Sequence, residues 1–323
     1  MKIRVRLALI SLIVLLLTLL ISINVGPIKI NSFNYGNLDQ LHRTILLDIR
    51  IPRALLALIV GSALATSGAV YQTVFRNPLA DPYLLGAAAG AGLGATIALT
   101  NSSSDISALL PIFAFAGAIS AVFISFLISG KFFAEPSTLL LSGIAIGSFA
   151  TAVQTFLQQR HSNSLRPVYS WILGELTAAS WSTVKWAGLY VGLALTVLFT
   201  IRAKLDVLLL SDEEALSLGV NANQLRVIAL AAATFATATA VSASGLIGFV
   251  GIVVPHLVKG ITHQVTNKNL PYIAMTGASF LILADLGART LLSPAELPIG
   301  VLTAFIGAPF FIAILRRRRL GAK

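Results

Sequence analysis

Long apolar runs, separated by short clusters of Pro, Gly and charge, set the pattern of this chain. Ten of them predict helices near residues 5–25, 46–73, 82–100, 109–130, 137–158, 183–203, 222–247, 252–262, 271–291 and 297–315. Most approach the ~20 residues that a helix needs to cross a hydrocarbon core. The expected fold class is an all-α polytopic membrane protein of about ten transmembrane helices. Several of these are short or broken, and one domain covers residues 1–323. The first run, Leu7 to Ile23, is long and is followed by no small-x-small cleavage site, so it reads as a retained span and not a signal peptide.

The breaks between runs carry most of the information. Phe75-Arg76-Asn77-Pro78-Leu79-Ala80-Asp81-Pro82-Tyr83-Leu84 places two prolines and three polar residues between two apolar runs. Proline lacks an N–H and disfavours helical geometry in the residue before it. Pro78 and Pro82 therefore predict a tight polar hairpin at a membrane face. Pro255 and Pro298 are expected to mark further helix breaks, on the opposite side. An internal repeat is also visible: Ala63-Leu64-Ala65-Thr66-Ser67-Gly68 is followed by Pro78, and Ala240-Val241-Ser242-Ala243-Ser244-Gly245 by Pro255, at the same distance. The two copies run in opposite senses, the pattern of an inverted-topology repeat with halves at roughly 46–158 and 222–315.

Composition agrees with the pattern. A hydrophobic fraction of 56% and only 11% charged residues exclude an ordinary soluble domain. The net charge of +11 raises the question of nucleic acid, but its distribution points to lipid. Lys2, Arg4 and Arg6 precede the first run, and Arg316 to Arg319 follow the last. With an even number of spans, both basic termini lie on the cytoplasmic side by the positive-inside rule. Arg76, Lys131, Arg202, Lys204, Arg226, Lys259 and Lys268 fall on that side too. Lys29, Arg43, Arg50, Arg53, Arg160, Arg166, Lys185 and Arg289 are left outside. Arg50 and Arg53, three residues apart, project from similar faces of a helix. They either snorkel at the interface or receive a partner. Arg289 is spaced to pair with Asp285, one turn earlier.

Ser211-Asp212-Glu213-Glu214 reads as a capping box, with Ser211 as N-cap and Glu214 three residues on. Gly219 supplies a C-terminal cap. The outcome is a helix of about two turns on the cytoplasmic side, its acidic first turn favoured by the helix dipole. The chain has no Cys, no phosphate-binding loop, no His-Glu-x-x-His and no Gly-x-Ser-x-Gly. No metal site, no bound cofactor and no catalytic residue are expected on it.

Five segments, in order from Arg50 to about Leu315, resemble the FecCD-type permeases, the membrane subunits of ATP-driven importers for ferric siderophores, haem and cobalamin. They are Arg50-Ile51-Pro52-Arg53; the hairpin with Gly86, Gly90, Gly92 and Gly94 behind it; Glu213-x-Ala215-x-x-x-Gly219; Gly245 through Gly248, Gly251 and Pro255 to His256; and Ala295-Glu296-Leu297-Pro298-Ile299-Gly300. Lys259 stands where the family more often carries Arg. The resemblance implies a permease in the bacterial cytoplasmic membrane, with a second copy (homodimer or pseudo-dimer) and two ATPase subunits that hold ATP and Mg. A periplasmic or lipid-anchored binding protein completes the system. It implies that Asn77 and Leu79 line a cytoplasmic gate, with Ser137 and Thr138 as a second constriction. It further implies that Arg50, Arg53 and Arg289 receive glutamates of the binding protein, and that Ser211, Asp212, Glu213, Glu214, Ala215 and Gly219 form the helix that couples to the ATPase. The runner-up is an ion-coupled secondary transporter. That class needs ionisable groups near the midplane, and Asp285 is the one acid well within a predicted span. The substrate itself is not legible here.

Overall fold

The structure, a computed structural model, describes residues 2–28, 39–101, 106–130, 136–161, 165–262 and 266–321. Lys29 and Lys131 lie outside the described residues. So do the side chains of Lys2, Arg4 and Arg316 to Arg319. Helix α1 is Lys2–Asn24, and α2 (Gln40–Thr44) leads through a π-helical stretch, Ile45–Arg50, into α3, Ile51–Val74. Then follow α4 (Ala87–Asn101), α5 (Ile106–Ile128), α6 (Pro136–Arg160), α7 (Leu165–Ile172) and α8 (Trp181–Leu205). A 3₁₀ turn at Asp206–Leu209 precedes α9 (Asp212–Ser217), α10 (Ala222–Ser244), α11 (Val250–Thr262), α12 (Thr266–Thr290) and α13 (Ile299–Gly321).

All ten apolar runs are helices. Among the described residues, seven helices are long and apolar enough to cross a membrane, and shorter apolar stretches lie in α4 (Ala87–Thr100), α11 (Val250–Thr262) and α13 (Ile299–Ala313). The fold is an all-helical membrane bundle. Helix α4 starts at Ala87 and not at 82, because Asp81 to Gly86 stays irregular. Gly86, at φ +86°, closes that segment in the left-handed region. Helix α7 was not expected. Its signal is a short amphipathic pattern, with Val168 and Trp171 on the buried side.

Helix α3 is the central post, buried at nearly every position. Lipid gives apolar side chains no reason to prefer protein, so helices associate where small residues allow close backbone contact. Gly68 lies against Gly251 of α11 so closely that a Cβ would strike the Gly251 carbonyl. Gly61 meets Gly277 of α12 in the same way. Arg53 lies opposite Asp285, eight residues along each helix in opposite senses, so α3 and α12 are antiparallel. Ser67 donates to the Ala233 carbonyl (2.9 Å) and Tyr71 shares a hydrogen bond with Thr234 (2.7 Å), both on α10. Helix α3 packs along α12, and α10 packs along α5. The repeated motif itself is not equivalent in local structure. Gly68 sits inside α3, whereas Gly245, at φ +68°, follows the last residue of α10.

Pro78 and Pro82 lie in the hairpin and Pro298 immediately precedes α13. Pro255, in contrast, does not break a helix: it lies within α11. The interruption is upstream, at Gly245–Phe249. A helical proline leaves the carbonyl four residues earlier without its donor, and here that carbonyl belongs to Gly251. Gln72 of α3 supplies the donor, its Nε2 lying 3.1 Å from the Gly251 oxygen. Its Oε1 accepts from Lys259 Nζ at 3.3 Å. One side chain thus repairs the helix and fixes it to the central post. Substituting Gln72→Leu strands the Gly251 carbonyl and takes one acceptor from Lys259, so we expect a loss of about 1–3 kcal/mol. A lowered thermal midpoint of the detergent-purified protein is the measurement, and an unchanged midpoint counts against the repair.

Candidate functional site

At one end of the bundle, Arg50, Arg53 and Arg289 come together. None of the three is a free surface cation. All three are buried, with 4–7% of their surface exposed. Helix α1 ends here at Asn24, and its last carbonyls have no intrahelical donors. Arg50 Nη1 donates to the carbonyls of Ile23 (3.0 Å) and Asn24 (3.1 Å), and Nη2 to that of Ile28. Arg289 Nη2 donates to the Ser22 carbonyl and to Ser22 Oγ. Two cations therefore cap the C-terminus of α1, where its dipole favours positive charge.

Arg53 holds the anionic side of this cluster. Its Nε donates to Asp285 Oδ1 at 2.8 Å, and its two terminal nitrogens meet both Glu296 oxygens at 3.1 and 2.9 Å. Arg289 Nε lies 3.4 Å from Asp285 Oδ2, so the pairing read from their spacing is present. Asp285 is fully buried, whereas the Glu296 side chain keeps 35% exposure on the loop before α13. Glu296 is the participant that sequence reasoning missed. It lay in a quoted motif, but its partner is 243 residues away.

The opposite end carries the hairpin. Asn77 Oδ1 accepts from Leu79 N–H (2.9 Å) and the Asn77 carbonyl from Ala80 N–H (3.0 Å). Asp81 repeats the device on Tyr83 N–H at 2.8 Å. These Asx turns make a stiff loop. The Tyr83 hydroxyl donates to the Ile247 carbonyl (3.0 Å), joining the hairpin to the break between α10 and α11. The backbone at Leu84 and Leu85 presses on Gly143 of α6. Ser137 and Thr138 open α6 with exposed side chains, one to two turns before that contact. A cavity of about 700 Å³ lies between the hairpin and α6, lined by Asp81, Tyr83, Gly86, Gly143 and Gly147. A second, of about 1090 Å³, opens between α5, α7, α8 and α10. Phe115 and Tyr190 meet Phe235 edge-on at its wall (5.5 and 6.0 Å). His256 packs edge-on against Phe310 at 6.1 Å. Among the described residues, no group of three or more His, Asp or Glu is placed to hold a metal ion.

Helix α9 stands at the hairpin end, outside the apolar bundle. The capping box is formed as read: Ser211 Oγ accepts from Glu214 N–H at 3.2 Å, and Glu214 Oε2 accepts from Ser211 N–H at 2.9 Å. Gly219 (φ +73°) donates to the Leu216 carbonyl and Val220 to that of Ala215, a complete Schellman closure. Ala215 is buried against the bundle. Asp212 is clamped by both terminal nitrogens of Arg226 on α10, while Glu213 is exposed. Hydrogen bonds from Arg226 hold the Asp212 carboxyl below the usual carboxylate range. Those from Ser211 do the same for Glu214.

Comparisons with known proteins agree with one another. A family model described as the FecCD transport family matches residues 9–317. The chain is 39% identical to the hemin transport system permease protein of Yersinia pestis, over 98% of both chains. It is 35% identical to the Fe(3+)-citrate import system permease protein of Bacillus subtilis, over 97% of this chain and 96% of that one. The cobalamin import system permease protein of Halobacterium salinarum is 42% identical over 85% of this chain and 74% of that one. Among solved structures, an inward-facing transporter described as of the metal-chelate ABC type superposes with a TM-score of 0.88. It is 29% identical and matches 97% of this chain and 99% of that one.

Removing the buried anion should cost far more than removing the rim one. Asp285→Asn leaves Arg53 and Arg289 short of countercharge and is expected to lose about 3–5 kcal/mol. Glu296→Gln, at the solvent edge, should lose no more than about 1 kcal/mol. Thermal unfolding of the two purified variants measures the difference, and equal losses would contradict the ranking. Depressed carboxyl pKa values act in the other direction from buried bases. Their stabilisation of α9 is full above the unfolded carboxylate range and lost as pH falls through the lower folded values. The protection of the amides at Ala215 to Gly219 relative to the intrinsic exchange rate should therefore be constant between pH 7 and 5 and fall only below about 4. A loss of protection already at pH 5 would refute the cap.

Proposed function

The chain belongs to the FecCD transport family, and from that we propose that it is the membrane-spanning permease subunit of a binding-protein-dependent ABC importer for a bulky metal chelate. Its relatives are named for cobalamin, ferric citrate and hemin import. The substrate class proposed here is therefore a ferric siderophore or a similar chelate, haem or cobalamin included. The protein is a multi-pass membrane transport permease, and the chemistry of ATP hydrolysis is assigned to a separate ATPase subunit that holds ATP and Mg. Two copies of the permease with two such subunits form the proposed unit, in the cytoplasmic membrane with both termini inside. The observation that carries this reading is α9: a doubly capped helix, clamped by Arg226 and offering an acidic first turn beyond the apolar bundle. An ion-coupled transporter needs an ionisable group free to bind its ion, and Asp285, the acid that the sequence offers for that role, is committed to two arginines.

In this reading the arginine end receives the binding protein. The burial of Arg50, Arg53 and Arg289 changes how. A partner carboxylate approaches Arg53 from the half-exposed side now taken by Glu296, and exchanges with it. Asn77 and Leu79, on the stiff hairpin, line the cytoplasmic gate, with Ser137 and Thr138 on the adjacent helix as a second constriction.

Reconstitution with the ATPase and the binding protein in proteoliposomes tests the whole. We expect ATP-dependent uptake of one member of a panel of ferric siderophores, ferric citrate, haem and cobalamin. Native mass spectrometry should give two permease copies and two ATPases. Glu296→Gln should speed docking of the binding protein by surface plasmon resonance, since a competing anion is gone. A functional complex with a single permease copy, or uptake that follows a proton or sodium gradient without ATP, would overturn the reading.

A further inference from the structure

Arg76 follows α3 and occupies the left-handed region, at φ +48°, where a residue without glycine's freedom is held only by its surroundings. Its side chain leaves the hairpin altogether. Nε donates to the Leu208 carbonyl at 2.8 Å, and Nη2 donates to the Leu210 carbonyl. Nη2 also lies 3.8 Å from Asp212 Oδ1. These acceptors sit in the segment that carries α9, 132 to 134 residues along the chain. Leu208 is in the 3₁₀ turn, and Leu210 is the extended residue just before the N-cap Ser211. One planar guanidinium thus spans both ends of the junction between the last turn of the α8 segment and the start of α9.

The hairpin beyond Arg76 is stiff in its own right. Asn77 N–H donates to the Gln72 carbonyl (3.1 Å), which ties it back to α3, and the Asn77 Asx turn holds Leu79 and Ala80. Displacing the Arg76 backbone therefore displaces Asn77 and Leu79 with it. On the other side, Asp212 is gripped by Arg226 at the foot of α10. The α9 segment and the hairpin are joined by the Arg76 fork, with the weaker Asp212 approach beside it.

We infer that Arg76 is the positioning residue that makes the hairpin and the α9 segment move as one body, so that displacement of α9 is delivered to Asn77 and Leu79. This rests on the reading of α9 as the docking site of an ATPase. The alternative is that Arg76 only marks the cytoplasmic face by its charge. Lysine separates the two: it keeps the charge but is a point donor, unable to bridge two carbonyls in a fixed fork.

The chain has no Cys, so spin labels can be placed cleanly. One pair, Leu79→Cys with Leu209→Cys, spans the hairpin and the α9 segment. A second pair, Leu79→Cys with Thr200→Cys, reports the hairpin against α8. Distances are measured by double electron–electron resonance in the complex with the ATPase, without nucleotide and with ATP trapped. The second pair is expected to change between states while the first stays fixed. Arg76→Lys should broaden the first pair and cut the population at its original separation by roughly tenfold, with a matching loss of uptake per ATP hydrolysed. Arg76→Gln serves if the lysine variant is not monodisperse. A first pair that already changes between states with Arg76 intact overturns the inference and leaves the permease reading standing. An unaltered first pair in Arg76→Lys does the same. Failure of the ATPase to bind at all, seen before nucleotide is added, would overturn the reading of α9 and this inference with it.

Discussion

A bilayer supplies no hydrogen-bond partners, so every interruption of a helix in this bundle must be satisfied from within the protein. That requirement explains the polar side chains that matter most. Gln72 donates to the carbonyl that Pro255 leaves without a partner. Tyr83 donates to Ile247 in the irregular stretch between α10 and α11. Arg50 and Arg289 take up the last carbonyls of α1. Each of these carbonyls is satisfied by a side chain from a different element, and each repair fastens two elements together.

The same constraint shapes the apolar parts. With no hydrophobic gain from helix association in lipid, close approach depends on small residues, and the glycine contacts of α3 with α11 and α12 provide it. Around that post, α3 packs against α12 and α10 against α5. Two groups of irregular segments lie at opposite ends, and the break at Gly245–Phe249 touches both the hairpin and the start of α13. The hairpin and α9 share one end. The arginine cluster and the loop carrying Glu296 share the other.

Charge follows this division. The arginines at the far end run against the positive-inside bias in the orientation that the sequence predicts, and in that reading they look like receptors for a partner. Their first task in this conformation is internal. Two of them cap a helix, and the third is saturated by Asp285 and the bidentate Glu296. Any further carboxylate that approached Arg53 would compete with the two already in place. At the near end Arg76 and Arg226 converge on the α9 segment, joining it to the hairpin and to α10.

Local chemistry was legible in the sequence because it depends on neighbours only a few residues away. The ten helices follow from runs of apolar residues, the hairpin from Pro78 and Pro82, and α9 from a Ser and a Glu three residues apart. The pairing of Asp285 with Arg289 follows from one helical turn. What depended on distant partners was not. Pro255 reads as a break until Gln72, 183 residues earlier, repairs it. Arg50 and Arg53 read as exposed until the end of α1 and Glu296 are folded over them, and Arg76 reads as a marker of the cytoplasmic face until Leu208 and Leu210 arrive beneath it. Spacing along a chain reveals which groups could form a turn or a cap. Only tertiary structure decides which buried donor meets which orphaned carbonyl, because in lipid that partner must come from wherever the packing brings it.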